Sequence, residues 1–128
     1  MNVVVLRGRL SRPAEPRTLP SGEQLVQLEI TIPRPGEKAE TAPIAWPNPP
    51  ARAFKLDVGQ EVMVLGRVRR RFFRAGGSTQ SRTEVVAEEV LTSRQARKVE
   101  DLIDRACALI DGSIPAEPDE EDQVIEAR

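Results

Sequence analysis

Residues Leu25–Ile32 constrain the fold more than any other stretch. Val26, Leu28, Ile30 and Ile32 alternate with Gln27, Glu29 and Thr31. A repeat of two places the apolar set on one face and the polar set on the other. That is an antiparallel strand with one side on a core and the other in solvent. Such a strand needs neighbours on its edges, and the flanking sequence reads as supplying them. Asn2–Leu10, rich in valine and leucine, is a first strand in which Gly8 allows a bulge or a close backbone approach. Pro13, Pro16 and Pro20 punctuate a turn-rich segment that Ser21-Gly22 closes. Glu40–Trp46 is a third strand, stopped by Pro47-Asn48-Pro49-Pro50, where the prolines exclude regular helix. Ala51–Leu56 has room for one helical turn. After the Asp57–Gln60 turn, Glu61–Arg69 is the fourth strand and Arg82–Leu91 the fifth, joined by a hairpin through Arg74–Gln80.

The period changes after residue 92. Val99, Leu102, Ile103, Ala106 and Ile110 follow the spacing of one helical face, with Arg97, Lys98, Glu100, Asp101, Asp104 and Arg105 on the other. Ser93 is placed to cap this helix, and Gly112 followed by Pro115 supplies its stop. From Ile114 onward Pro, Glu and Asp dominate without apolar periodicity, so disorder is expected there. The expected organisation is an all-β domain over 1–92, an amphipathic helix over 93–112 and an acidic tail over 113–128.

A formal net charge of -1 conceals a strong asymmetry. The first 98 residues carry 17 Lys/Arg and 10 Asp/Glu, whereas residues 99–128 carry 2 and 10. A basic body with an acidic end is a recurrent arrangement in nucleic-acid-binding proteins. The 128 residues are the size of one domain. There is no histidine, hence neither the commonest acid–base group near neutral pH nor the commonest metal ligand. Cys107 stands alone, which excludes an internal disulfide or a cysteine-rich zinc site, and its helical context suits a small buried hydrophobe. With no metal-ligand spacing and no phosphate-binding glycine loop, no enzyme, metal or cofactor is expected. The chain shows no signal-peptide pattern and no apolar run of membrane-spanning length, and it is read as cytoplasmic, without membrane contact.

Against this background Arg67-Val68-Arg69-Arg70-Arg71-Phe72-Phe73-Arg74 stands out: five arginines and two phenylalanines in eight residues, leading to Gly76-Gly77. Arginine neutralises phosphates and an aromatic ring stacks on a base, so this stretch has the composition of a nucleic-acid groove. A solvated charged hairpin with core phenylalanines has the same composition. On a strand Arg67, Arg69 and Arg71 share one face and Arg70 lies on the other, while Arg74 and Arg82 approach across the hairpin. The consecutive Phe72 and Phe73 point to opposite faces, so only one of them serves the groove.

Five antiparallel strands on a short chain suggest a Greek-key barrel of the OB type. The residues also resemble the bacterial single-stranded-DNA-binding (SSB) family. That family opens with a strand of the form Asn-x-Val-x-Leu-x-Gly-x-Leu, matched by Asn2, Val4, Leu6, Gly8 and Leu10. Pro13-Ala14-Glu15-Pro16-Arg17, Pro20-Ser21-Gly22 and Leu25–Ile32 stand where the family has two turns and an alternating strand. Val58–Val68 resembles its Lys-Gly-x-x-Val-x-Val-x-Gly-x-Leu strand, and Thr83-Glu84-Val85-Val86 its closing strand. The resemblance covers about residues 2–91. It implies an OB fold, sequence-independent binding of single-stranded DNA (ssDNA) in replication, recombination or repair, and homo-oligomers, with a tetramer favoured over a dimer.

By family position Trp46 and Phe73 are the stacking aromatics, and Phe72 goes to the core or a subunit contact. Arg67, Arg69, Arg71, Arg74 and Arg82 are the expected phosphate ligands, with Arg34, Arg7, Arg9 and Arg52 weaker. The chain also departs from the family. Its earlier tryptophan positions fall near Glu37–Lys38 and at Glu40, and the helix between its third and fourth strands is replaced by the proline-rich excursion. The 93–111 helix is not a standard part of its OB core, and the tail lacks a Pro-Phe tip, so recruitment of replication or repair proteins in the family manner is not expected. The rival reading is an OB-fold protein-interaction subunit of a primosome-type assembly, with its aromatics in the core and its arginines on an acidic partner. RNA is a third ligand class compatible with the same residues.

Overall fold

A computed structural model describes residues 1–112 of the chain. The strands are β1 (Val4–Leu10), β2 (Glu15–Thr18), β3 (Gln24–Arg34), β4 (Glu37–Pro47), β5 (Glu61–Ala75) and β6 (Ser78–Thr92), followed by α1 (Ala96–Asp111). A short 3-10 helix at Ala51–Lys55 occupies the place expected for one helical turn. β2 pairs only with β3, so it is a side strand of a ring of five: β1–β3–β4–β6–β5 and back to β1. This is the closed OB-like barrel that the strand pattern and the resemblance implied. One pairing differs from the expected all-antiparallel set. β4 and β6 run parallel, with Ile44 opposite Val85 and Ala45 opposite Val86. A parallel pair requires a crossover, and the 47–60 excursion with β5 provides it.

The alternation read in Leu25–Ile32 sets the barrel interior. Val26, Leu28 and Ile30 turn inward with Leu10, Ile44, Val62, Val64, Val85, Ala87 and Val90. Two glycines mark where backbones press together. A Cβ on Gly8 would sit 2.5 Å from the Thr31 carbonyl oxygen, where β1 meets β3. A Cβ on Gly66 would collide with the Val86 carbonyl oxygen, where the β5–β6 register skips Glu88. Close packing at these seams closes the ring, and it admits only glycine.

The outward face of the same strands receives α1. Leu102 and Ala106 pack on Leu65 and Leu91, with Val3, Met63 and Val99 half-buried around them. Burying Leu102 contributes about 1.5–3 kcal/mol. Ile103 and Ile110, expected on the same face, are exposed, as is Cys107. The helical face is therefore narrower than its sequence suggests. The expected Ser93 cap is also displaced: residues 93–95 form a 3-10 turn, Gln95 is the capping position, and its side chain accepts from the Thr92 N–H at 3.1 Å. Gly112 ends the helix in the left-handed conformation, as read from sequence. The acidic tail expected over 113–128 lies outside the described residues.

Candidate nucleic-acid interface

β5 and β6 are each 15 residues long, and they pair continuously from Val62–Thr92 to Ala75–Ser78. Their barrel neighbours stop much earlier. β1 leaves β5 at the Val4–Gly66 pair, and β4 leaves β6 at Ala45–Val86 and Ile44–Val85. Beyond that point the two strands continue as a ribbon with no third strand beside them. The octet thus belongs to a strand that runs on to Ala75, longer than the expected Glu61–Arg69. Asn2 forms the last rung at the root: its Nδ2 donates to the Val68 carbonyl at 2.8 Å and its Oδ1 accepts from the Val68 N–H at 2.9 Å. Gly76 and Gly77, both at positive φ, make the two-residue turn that right-twisted strands favour at the tip.

Alternation sorts the ribbon into two faces. Arg67, Arg69, Arg71 and Phe73 share one, opposite Val86, Glu84, Arg82 and Gln80 of β6. Val68, Arg70, Phe72 and Arg74 share the other. Arg82 therefore joins the Arg71 face, whereas Arg74 does not. Glu84, 6% exposed, is the sole carboxylate among these arginines. Its Oε1 lies 3.2 Å from Arg71 Nε and its Oε2 3.6 Å from Arg69 Nη2. The Arg71–Glu84 approach is an ion pair without hydrogen-bond alignment, and neither of those two atoms has a hydrogen-bond partner.

Among the described residues, Arg67, Arg70, Arg74 and Arg82 form no ion pair. Arg70 donates to Ser81 Oγ at 3.1 Å and Arg74 to the Gly77 carbonyl at 3.5 Å. The Phe72 ring is 65% exposed, with the Arg70 guanidinium 5.5 Å from its centroid. Phe73 is exposed less, and Arg71 stands over it at 5.5 Å. Between the ribbon and the barrel lies an open groove of about 420 Å³. Leu25, Gln27 and Ala45 line its barrel side, Arg69–Phe72 and Glu84 its ribbon side. Cationic wall and exposed ring together suit a polyanion that carries flat apolar bases.

A family model described as the single-strand binding protein family matches residues 1–93. The chain belongs to that family. No individual curated protein matches it significantly. Membership and the OB-like barrel support ssDNA binding as the general activity, in a family that binds DNA and is not enzymatic. The matched segment ends just before α1. Among the described residues no helix is long and apolar enough to cross a membrane.

Within this SSB barrel, the expected site residues fall into two groups. Arg67, Arg69, Arg71, Arg74, Arg82 and Phe73 are gathered on the ribbon. Trp46 and Arg34 are not. Trp46 pairs with Val26 and is 3% exposed inside the barrel core, so no base can reach its ring in this arrangement. Arg52 stands over it at 5.4 Å and donates to the Val90 carbonyl at 2.7 Å, locking the proline-rich excursion onto the barrel. Arg34 lies on the separate β3–β4 hairpin, ion-paired to Glu37 and, at 2.7 Å, to Glu40. Arg7 is likewise paired, to Glu61 at 2.8 Å, and Arg9 donates to the Gly59 carbonyl. Phe72, expected in the core or at a subunit contact, is not in the core. Its signal was the parity of Val62 and Val64, which point inward within the barrel but into the open once the strand leaves it.

Proposed function

We propose that this SSB-family chain binds ssDNA without sequence preference, along the β5–β6 ribbon and the groove at its foot. The arginines of Arg67–Arg74 with Arg82 capture phosphates, and bases stack on Phe72, the ring that lines the groove. The observation that carries this reading is the ribbon itself. It carries six arginines and a single carboxylate between Gly66 and Val86, beside a ring that is two-thirds exposed. Each phosphate contact adds about −0.7 to the salt slope for single strands. Each stacked ring adds about 1–3 kcal/mol. In this reading residues 1–92 are the binding unit, the chain works in the cytoplasm as a homo-oligomer, a tetramer by family analogy, and its role lies in replication, recombination or repair.

The test is a titration of labelled dT oligomers and of duplex DNA at two salt concentrations, followed by anisotropy. Preference for the single strand with a steep salt dependence supports the proposal. No binding to either at low salt sinks it. The burial of Trp46 favours the second reading, a protein-interaction subunit on the same barrel, because it removes one of two expected platforms. That reading predicts the same titration will be flat while an acidic protein partner binds the ribbon.

A further inference from the structure

Glu84 is the only acidic residue between Gly66 and Val86, and it sits at the foot of the cationic ribbon, on the groove wall. A carboxylate this buried needs a counter-charge, since desolvation would otherwise make it costly. It takes two, Arg69 and Arg71, which remain 42% and 37% exposed themselves. An arginine already neutralised from within the protein displaces fewer counterions from DNA than a free one. The pair is also held loosely. Arg71 Nε and Glu84 Oε1 are 3.2 Å apart but misaligned, and both atoms lack a hydrogen-bond partner. A phosphate that offered either guanidinium a bidentate pair would improve on the present geometry.

We propose that Glu84 is a built-in competitor of the DNA phosphates. It holds Arg69 and Arg71 on the ribbon when no strand is bound and yields them as phosphates arrive. The groove's affinity and salt sensitivity are thereby set below what its arginine count would give. The inference rests on the ssDNA reading above and deepens it: four arginines are permanent phosphate ligands, and two are conditional on displacing a carboxylate.

The test compares the full-length protein with Glu84→Gln, which keeps the side-chain shape and removes the charge, on a labelled dT oligomer across a salt series. The expected result is binding tighter by about threefold to tenfold at low salt. The salt slope steepens by about 0.7 for one arginine released and about 1.4 for both. A folded Glu84→Gln protein that binds equally or more weakly overturns the proposal and makes Glu84 a positioning residue for the two arginines. Should that variant not fold, Arg69→Ala and Arg71→Ala in the native background decide. Each must lower affinity and salt slope less than Arg70→Ala or Arg74→Ala, and equal or larger losses overturn the proposal. Absence of ssDNA binding by the unmodified protein overturns this inference together with the function it rests on, whereas binding without the Glu84 effect overturns this inference alone.

Discussion

The two halves of β5 obey the same alternation with opposite consequences. From Glu61 to Gly66 the strand has β1 on one side and β6 on the other, and Val62 and Val64 are fully buried. From Arg67 to Ala75 it has β6 alone, and the positions of the same parity, Val68 and Phe72, face solvent. The lower half is held by side chains excluded from water. The upper half is held by its backbone ladder and its turn, which leaves Arg67, Arg70, Phe72 and Arg74 exposed to solvent. Stability thus lives in the barrel and the proposed binding in the ribbon, on one continuous strand.

That division can be broken at either end. Trp46→Ala carries the largest expected effect, a loss of about 3–5 kcal/mol of stability in denaturant unfolding, from the cavity left in the core. The folded fraction should bind ssDNA as before. A Trp46→Ala protein of native stability that had lost affinity would move Trp46 from the barrel to the binding surface. Gly66→Ala comes next, at about 3 kcal/mol, because its Cβ has no space against the Val86 carbonyl and backbone must shift. On the ribbon side, Phe72→Ala should leave the denaturation midpoint unchanged and weaken dT binding by about 1–3 kcal/mol. If Phe73→Ala showed that loss and Phe72→Ala did not, the family position would prevail over exposure. The smallest change is Arg70→Ala, expected to reduce the salt slope by about 0.7 at constant stability.

How much was legible follows from the same contrast. Val26, Leu28 and Ile30 announced their strand because one of its faces is buried and the other is not, and one-sided burial is what writes a period of two into a sequence. The ribbon and the β3–β4 hairpin tip carry no such record. Arg34, Glu37 and Glu40 on the one, and Ser78–Ser81 on the other, are exposed on both faces. Their strands therefore run several residues beyond the apolar alternation that located them. Trp46 shows the opposite case. It lies two residues after Ile44 on the inward face, so its parity pointed to the core, and position within the family outweighed that signal. The Glu84 pairing was invisible because it depends on which β6 residue stands opposite Arg69, a register set by the glycine turn.

The ribbon's root and tip are both fixed, by the Asn2–Val68 rung and by the Gly76–Gly77 turn. Between them the pleat works as a reading frame. Deleting two residues from each strand would shorten the reach and preserve the order of faces. Deleting one from each would turn everything beyond the cut over, exchanging the conditional arginines beside Glu84 for the free Arg70 and Arg74. This arm can therefore change length among relatives or in engineered variants only in even steps if it is to keep presenting the same chemistry to a strand.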